Sequence, residues 1–421
     1  MRPRNALYAQ AGGVTAVINV SAAAVIDECR RHPDRIRTLY AARNGILGVL
    51  REDLVDTSAE SDEAIAALRH TPGGAFGSAR FRLGTLDEDR KTWERFVEVF
   101  HAHDIGYLFY NGGNGSAATA LQLSTLGQTL GYPLTCVHVP KTVDNDILDT
   151  DCAPGFGSAA KYLAVSMREA AADVASMTAT STRVFILEAM GRHAGWMVAA
   201  MGLAADEHNH PPHLLLFAEI PFDEEEFLER VDRAVGRHGY CVVGVSEGLQ
   251  TRDGRFLSEI RPEHAGRNEQ LGGVAPRLAQ LVHDRLNLKC HWATADYLQR
   301  SARHIASSVD IEHADAVGRA AVRLALAGRN ATMPVIVRES DAPYRWSVGE
   351  VALEGIAARE KRLPRDFITE DGYHISRAAR TYLRPLIQGE AYPPYRDGLP
   401  VHARLARVPV ARKLAPWIAT S

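Results

Sequence analysis

The sequence predicts an α/β protein of two lobes, each built on a mostly parallel sheet, with a C-terminal appendage. Three observations carry this. Short apolar runs alternate with longer helical patterns through most of the chain, the order that makes parallel sheets with helices on both faces. Glycine or polar turns stand directly behind the apolar runs, which reads as strand, turn, helix. The length of 421 residues exceeds what one core usually organises, so two domains and an appendage are expected.

The elements come in order along the chain. "ALYAQ" is a strand that leads into Gly12 and Gly13, and Val14, Val17, Ile18, Val25 and Ile26 then recur on one helix face. Trp93, Phe96, Val97 and Phe100 mark a second helix. "IGYLFYNGG" is a strand and turn, "SAATALQLSTL" a helix and "LTCVHVP" a strand. "RVFILEAMG", "LLLFAEI" and "YCVVGVSEG" are further strands with helical patterns between them. The linear partition expected is 1–148 for a first lobe, 149–330 for a second and 331–421 for the extension, whose "IQGEAYPPYRDGLP" reads as an extended wrap or a partner contact. There is no internal repeat.

Composition narrows the function. Hydrophobic content of 46% and charged content of 24% are those of an ordinary globular protein. A net charge of −3 gives no electrostatic reason to expect nucleic acid or an anionic membrane as partner. Any anion must be held by local basic residues. Cys29, Cys136, Cys152, Cys241 and Cys290 are odd in number, widely spaced and without a CxxC, against a disulfide framework or zinc site. The most apolar stretch, "AGWMVAAMGLAA", is too short and glycine-broken to span a bilayer. A soluble, cytoplasmic protein is expected.

In open α/β sheets the ligand sits at the carboxyl ends of strands, and the segments there are polar: "AGGVT", "NGGNGS", "PKTVDND", "EAMGRHAG" and "SEG". The glycines of "YNGGNGSAAT", residues 110–119, suit either a tight strand-to-helix turn or a phosphate cradle of backbone N–H groups. "PKTVDNDI", residues 140–147, places Asp144 and Asp146 two apart; in extended backbone both face one way, which with Lys141 and Thr142 suits proton abstraction from a hydroxyl beside a phosphate. An Asx-turn capping the next element is the alternative. "EAMGRHAGW", residues 188–196, sets Arg192 and His193 at the start of an apolar helix. The macrodipole opposes an arginine there, so an anion explains it better than stability does, a solvated arginine being the alternative; His193 reads as structural. "GGAFGSARF" with Arg80 and "GFGSAAKY" with Lys161 are two more glycine-rich loops.

Taken in order, "AQAGGVTAVIN", "PKTVDNDI", "DCAPGFGSAAKY", "TSTRVFILEAMGRHAGW", "YLQR" and "EAYPPYRDGLP" give a chain that resembles the phosphofructokinases over nearly its whole length, most closely their long bacterial pyrophosphate-dependent branch. The resemblance implies two Rossmann-like lobes in the phosphofructokinase fold. It implies phosphoryl transfer from a Mg²⁺-bound donor to the 1-hydroxyl of fructose 6-phosphate, with Asp144 as base and Lys141 and Arg192 as the other catalytic residues. Thr142, Asp146, Met190, Gly191 and Glu247 match the sugar side, and Arg183, Tyr297 and Arg300 match positions at the sugar 6-phosphate. Gly12, Gly13, Arg80, Gly113, Gly115 and Ser116 match the donor side, and Asn114 stands at the metal position, where an ATP user carries Asp. A neighbouring chain's arginine is implied at the 6-phosphate, hence a homodimer or tetramer. The donor stays open at this point: Lys141 is typical of pyrophosphate users, whereas Gly115 replaces the Asp with which those enzymes block the space of an ATP α-phosphate. A weakly active regulatory paralogue is the further alternative.

Overall fold

The computed structural model describes residues 2–206, 210–258 and 273–418. Twelve of its strands form two sheets: β1 (Arg4–Ala11), β2 (Ile36–Ala42), β3 (Leu54–Asp56), β4 (Ser78–Ala79), β5 (Ile105–Gly112), β6 (Thr135–Pro140), β7 (Val184–Ala189), β8 (Leu214–Leu216), β9 (Cys241–Ser246), β10 (Cys290–Thr294), β11 (Thr332–Asp341) and β12 (Tyr344–Ala352). The chain divides into two compact units, one of Met1–Gly157, Arg303–Glu360 and Gly389–Ser421, the other of Ser158–Ala302 and Lys361–Gln388.

In the first unit the strand order is β12-β11-β6-β5-β1-β2-β3, with β4 also pairing β1. β6, β5, β1 and β2 run parallel, and the hairpin partner β12 and the edge strand β3 are antiparallel to their neighbours. These strands are apolar on both faces because helices cover both. Trp93, Phe96, Val99 and Phe100 of the Arg90–Ala102 helix and Ala117, Ala120 and Leu123 of the Asn114–Ser124 helix fill one layer. Ala22, Val25 and Ile26 of the Ile18–Arg30 helix and Val317, Ala321 and Val322 of the Ser308–Leu326 helix fill the other. The last two helices approach closely at Gly318, where a Cβ would stand 2.8 Å from the Ser21 carbonyl oxygen. Register decides which loops meet at the carboxyl edge. Gln10 pairs with Asn111 and Gly112 with Pro140, so Gly12, Gly113 and Lys141 emerge there side by side.

In the second unit β10, β7, β9 and β8 form an all-parallel sheet. Its core includes Ile186, Val243 and Leu216 of the strands, Phe227 and Val231 of the Glu224–His238 helix, and Leu278 and Val282 of the Val274–Leu286 helix. Ala189 pairs with Ser246 and Glu188 with Thr294, which brings the loops after β7, β9 and β10 together.

The compact units differ from the linear partition at 148/149 and 330/331. The Ser308–Leu326 helix belongs to the first unit because its apolar face packs on the Ile18–Arg30 helix, and β11 extends the first sheet. Nor is 331–421 one appendage. Residues 361–388 join the second unit, where the Tyr373 carbonyl accepts from the Leu215 N–H at 2.8 Å. The chain then returns to the first unit as an extended strap held by two buried carboxylates: Glu60 accepts from the N–H groups of Ala406 (2.8 Å) and Arg407 (2.7 Å), Glu52 from those of Lys413 (2.9 Å) and Leu414 (3.0 Å). Within the stretch read as an extended wrap or a partner contact, Tyr395–Arg396 and Leu399–Pro400 pair as a short antiparallel hairpin.

Candidate active site

At the carboxyl edge of the first sheet, Gly12 turns the chain away from β1 with φ +72°, a value that glycine adopts without the Cβ penalty. Its N–H donates to the Ala79 carbonyl at 3.1 Å and its carbonyl accepts from the Ser78 hydroxyl at 2.7 Å, which puts the exposed Arg80 directly beside this turn. Lys141, buried at 4% exposure, aims its ammonium the same way: Nζ donates to the Gly13 carbonyl, and a Cβ at Gly12 would stand 3.7 Å from Nζ. A buried positive charge therefore faces the glycine turn.

The Gly113 carbonyl closes the start of the Asn114–Ser124 helix by accepting from the N–H groups of Ser116 and Ala117, both at 3.0 Å, and from the Ser116 hydroxyl at 2.7 Å. Having donated there, the hydroxyl can accept from His138 Nε2, 3.3 Å away. Ser116 thus holds the turn by its side chain. His138 is fully buried, and burial first, then the charge of Lys141, hold it down at about 3, so it stays neutral. Gly115 is exposed, with nothing within 4 Å of where its Cβ would stand.

The Lys141–Ile147 loop is bent, in contrast to the extended backbone assumed for it. Asn145 takes φ +51° and its Oδ1 accepts from the Ala153 N–H at 3.1 Å. The Thr142 hydroxyl accepts from the Asp144 N–H at 3.0 Å, so threonine organises the turn that carries the expected base. Asp146 faces Asn114 instead of pairing with Asp144: Asn114 Nδ2 donates to Asp146 Oδ2 at 2.8 Å and to its carbonyl at 3.1 Å. Asn114 Oδ1 and Asp146 Oδ1 are both buried and lack a hydrogen-bond partner. Unsatisfied buried oxygens are costly, and two of them on contacting side chains suit a hard cation. Among the described residues no group of three or more His, Cys, Asp or Glu could hold a metal. A magnesium ion fits this pair only with further oxygens from phosphate or water.

In the second unit the turn after β7 is held from three sides. Met190 N–H donates to Gln299 Oε1 at 3.3 Å, Gly191 N–H to Glu247 Oε1 at 3.4 Å, and the Gly191 carbonyl accepts from the Ser246 hydroxyl at 2.6 Å. Gly191 sits at φ +134°, and a Cβ there would come 2.7 Å from the Ala194 carbonyl oxygen. Burial pushes the Glu247 carboxyl up from its ordinary value, against the Gly191 N–H. Arg192 and His193 are exposed, and His193 stacks on Phe256 with ring centroids 6.3 Å apart. The helix expected to start at Arg192 begins at Trp196 and has six residues, so the macrodipole does not bear on Arg192. Glu219, by contrast, reaches the loop: it accepts from the Gly195 N–H at 2.8 Å.

In the Asp296–Ser301 helix the Arg300 guanidinium lies over the Tyr297 ring, 3.9 Å from its centroid, with Nε buried and unpartnered. Tyr297 is 64% exposed. Arg183 is exposed at the amino end of β7, where its N–H bonds the Lys289 carbonyl at 3.0 Å. It is therefore at the wrong end of the strand to join Met190. Lys161 is buried on the Phe156–Met177 helix.

Sequence reasoning missed Gln299, His138 and Glu219. Glu219 follows β8 as Glu247 follows β9, so the same strand-end rule identifies it. Gln299 is internal to "YLQR", and its 1% exposure leaves no sequence mark.

A family model described as Phosphofructokinase matches residues 5–325. The chain is 59% identical over 415 residues to the pyrophosphate–fructose 6-phosphate 1-phosphotransferase of Methylococcus capsulatus, covering 99% of each. It is 58% identical over 414 residues to the enzyme of the same name from Halomonas elongata, covering 98% of this chain and 99% of that one. The crystal structure of a pyrophosphate-dependent phosphofructokinase from Nitrosospira multiformis matches with a TM-score of 0.92 at 55% identity, over 99% of this chain and all of that one.

Proposed function

The chain belongs to the phosphofructokinase family, and from that membership we propose that it moves a phosphoryl group from pyrophosphate to the 1-hydroxyl of fructose 6-phosphate, giving fructose 1,6-bisphosphate. The reaction is measurable in both directions. The observation that carries the reading is the convergence of the Lys141 ammonium, the Gly12–Gly13 turn and the Asp144 loop at one sheet edge, beneath a glycine-opened helix start. Pyrophosphate suits such a site. It is small and highly charged, and Lys141 neutralises the phosphate that leaves.

Phosphoryl transfer needs positioning and charge neutralisation more than covalent help. Asp144, held by Thr142, takes the proton of the sugar 1-hydroxyl. The N–H groups of the glycine turns and Arg80 bind the donor. Asn114 and Asp146, whose orphaned oxygens are free of protein partners, would hold Mg²⁺, which would supply charge neutralisation on the donor phosphates. In the second unit Met190, Gly191 and Glu247 bind the sugar, Arg192 stabilises the migrating phosphoryl group, and Arg300, carried on Tyr297, binds the 6-phosphate. The enzyme works as a homo-oligomer in the cytoplasm; no helix among the described residues is long and apolar enough to cross a membrane.

Purified protein with Mg²⁺, fructose 6-phosphate and pyrophosphate is to be followed by an assay for the bisphosphate. Turnover is expected. Binding of the sugar phosphate without turnover on pyrophosphate or ATP would return the chain to the regulatory reading.

A further inference from the structure

Most side chains on a buried strand are apolar, yet β6 carries a fully buried histidine. His138 stands there among Cys136, Val137 and Val139, in its neutral form, and a polar ring costs free energy to bury unless it is hydrogen-bonded. Its Nε2 lies 3.3 Å from the Ser116 hydroxyl oxygen at the start of the Asn114–Ser124 helix. That hydroxyl gives its one proton to the Gly113 carbonyl at 2.7 Å, so at this contact the histidine is the donor and its proton sits on Nε2. Nδ1 meets the Met333 sulfur of β11 at 3.2 Å, a weak acceptor with no proton to give. The hydroxyl also needs Gly112, because a Cβ there would stand 2.1 Å from Ser116 Oγ. His138, Gly112 and the Gly113 carbonyl together form a niche for one hydroxyl.

The niche bears on the donor side through one peptide. The N–H groups of Ser116 and Ala117 bond the Gly113 carbonyl whether or not the histidine is there, and they build the helical turn. What they leave open is the Ser116 rotamer. His138 holds the rotamer whose hydroxyl reaches the Gly113 carbonyl, which then accepts from three donors and is fixed in direction. A trans peptide is planar, so its N–H points opposite to its carbonyl. With the Gly113 carbonyl turned into the helix, the Asn114 N–H faces out of the helix start, where no acceptor within the helix meets it. We propose that His138 is a positioning residue for the donor: through the Ser116 hydroxyl it fixes the Gly113–Asn114 peptide, and so the N–H that meets the phosphate. The inference rests on the reading that this turn binds pyrophosphate. Because the backbone bonds persist without it, the histidine contributes the weight of one hydrogen bond, felt by the donor and not by the sugar.

The test uses the full-length enzyme with Mg²⁺, pyrophosphate and fructose 6-phosphate. His138→Leu fills the space without a donor and is expected to raise the pyrophosphate KM about fivefold, the weight of one neutral hydrogen bond. Both kcat and the fructose 6-phosphate KM stay within about twofold of native. His138→Gln, whose amide N–H reaches about as far as Nε2, recovers most of the loss. Ser116→Ala removes the same contact from its other side, so His138→Leu added to it costs no more than about twofold further. If His138→Leu does not fold, the other two decide: Ser116→Ala raises the pyrophosphate KM and His138→Gln holds it near native. A pyrophosphate KM near native in folded His138→Leu or in Ser116→Ala, or a rise shared equally by both substrates, overturns the inference alone. Native protein that turns over no pyrophosphate overturns the reading beneath it and this inference with it.

Discussion

Asn114 donates its side-chain amide to the Asp146 carboxylate at 2.8 Å, and each side chain is left with one buried oxygen that meets no partner. A carboxylate in place of the amide would have no N–H to offer. The amide thus joins the helix start to the Lys141–Ile147 loop directly, while the two spare oxygens leave room for a cation.

Asn114→Asp exchanges this hydrogen bond for repulsion between two carboxylates. In EDTA the variant is expected to unfold at a lower temperature than native protein, because a hydrogen bond to a charged group is worth about 1.5–3 kcal/mol and each kcal/mol moves Tm by roughly 2–4 °C in domains of this size. Millimolar Mg²⁺ restores the loss, since the ion neutralises both charges. Thermal unfolding with and without Mg²⁺ reads this directly. A deficit that Mg²⁺ leaves untouched would mean that the pair holds no cation.

Gly115→Asp tests the donor side. The added side chain enters open space in the first turn of the Asn114–Ser124 helix, where an acidic residue is favoured by the macrodipole, so Tm is expected to hold or rise slightly. Native protein is expected to show weak but measurable turnover with ATP, because nothing blocks the path toward an α-phosphate at this position. The variant loses that turnover far more than its use of pyrophosphate. Comparison of kcat/KM for both donors decides it, and equal losses on the two would show that Gly115 has no part in discrimination.

How much of this was legible depends on the range of the interaction. Lys141 and Asp144 were legible because the end of a buried strand is a place the sequence marks by itself. The partnership of Asn114 with Asp146 was not, since it joins residues 32 positions apart around a backbone turned by Asn145 at φ +51°, and neither feature leaves a periodic trace. The partition failed for a related reason. The apolar stripe of Ser308–Leu326 says that the helix is buried, whereas the contact of Gly318 with Ser21 that assigns it to the first unit is a matter of tertiary fit. The macrodipole argument that singles out Arg192 is one the fold does not support, because the expected helix start lies four residues further on, at Trp196.

Acid is expected to destabilise the second unit through His213. Its Nδ1 accepts from the Val242 N–H at 2.9 Å, and burial first, then the nearby His238, His210 and His374, hold it down at about 4. Around it stand the His238 ring at 4.9 Å and the Tyr240 ring at 5.0 Å. An unfolded histidine titrates near 6.5, so the fold favours the neutral form. That stability is complete above about pH 6.5 and is lost as pH falls toward about 4, at up to roughly 1.4 kcal/mol per pH unit. Urea unfolding at pH 7.5 and pH 5 is to be compared with that of His213→Asn, which keeps an acceptor that does not titrate. A variant that loses stability over this range as steeply as native protein would absolve His213.

The final prediction comes from the two ends of β7. Arg183 immediately precedes this strand and Met190 immediately follows it, so an extended chain sets them roughly 23 Å apart at about 3.3 Å per residue. One sugar phosphate cannot touch both in the same chain. If both bind it, Arg183 comes from a second copy, and a symmetric dimer carries two such shared sites. Arg183→Ala is then expected to raise the fructose 6-phosphate KM steeply, while Asp144→Asn removes about 10²–10⁴-fold of turnover through loss of the base. Each variant is nearly inactive at low substrate. Mixing them under conditions that exchange subunits makes hybrids in which one site draws Asp144 from one chain and Arg183 from the other, both intact. Activity at low fructose 6-phosphate should climb toward about a quarter of native, because half the dimers are hybrid and each has one whole site of two. A mixture that stays at the sum of its parts, although light scattering or mass spectrometry shows hybrids formed, would place Arg183 outside the shared site.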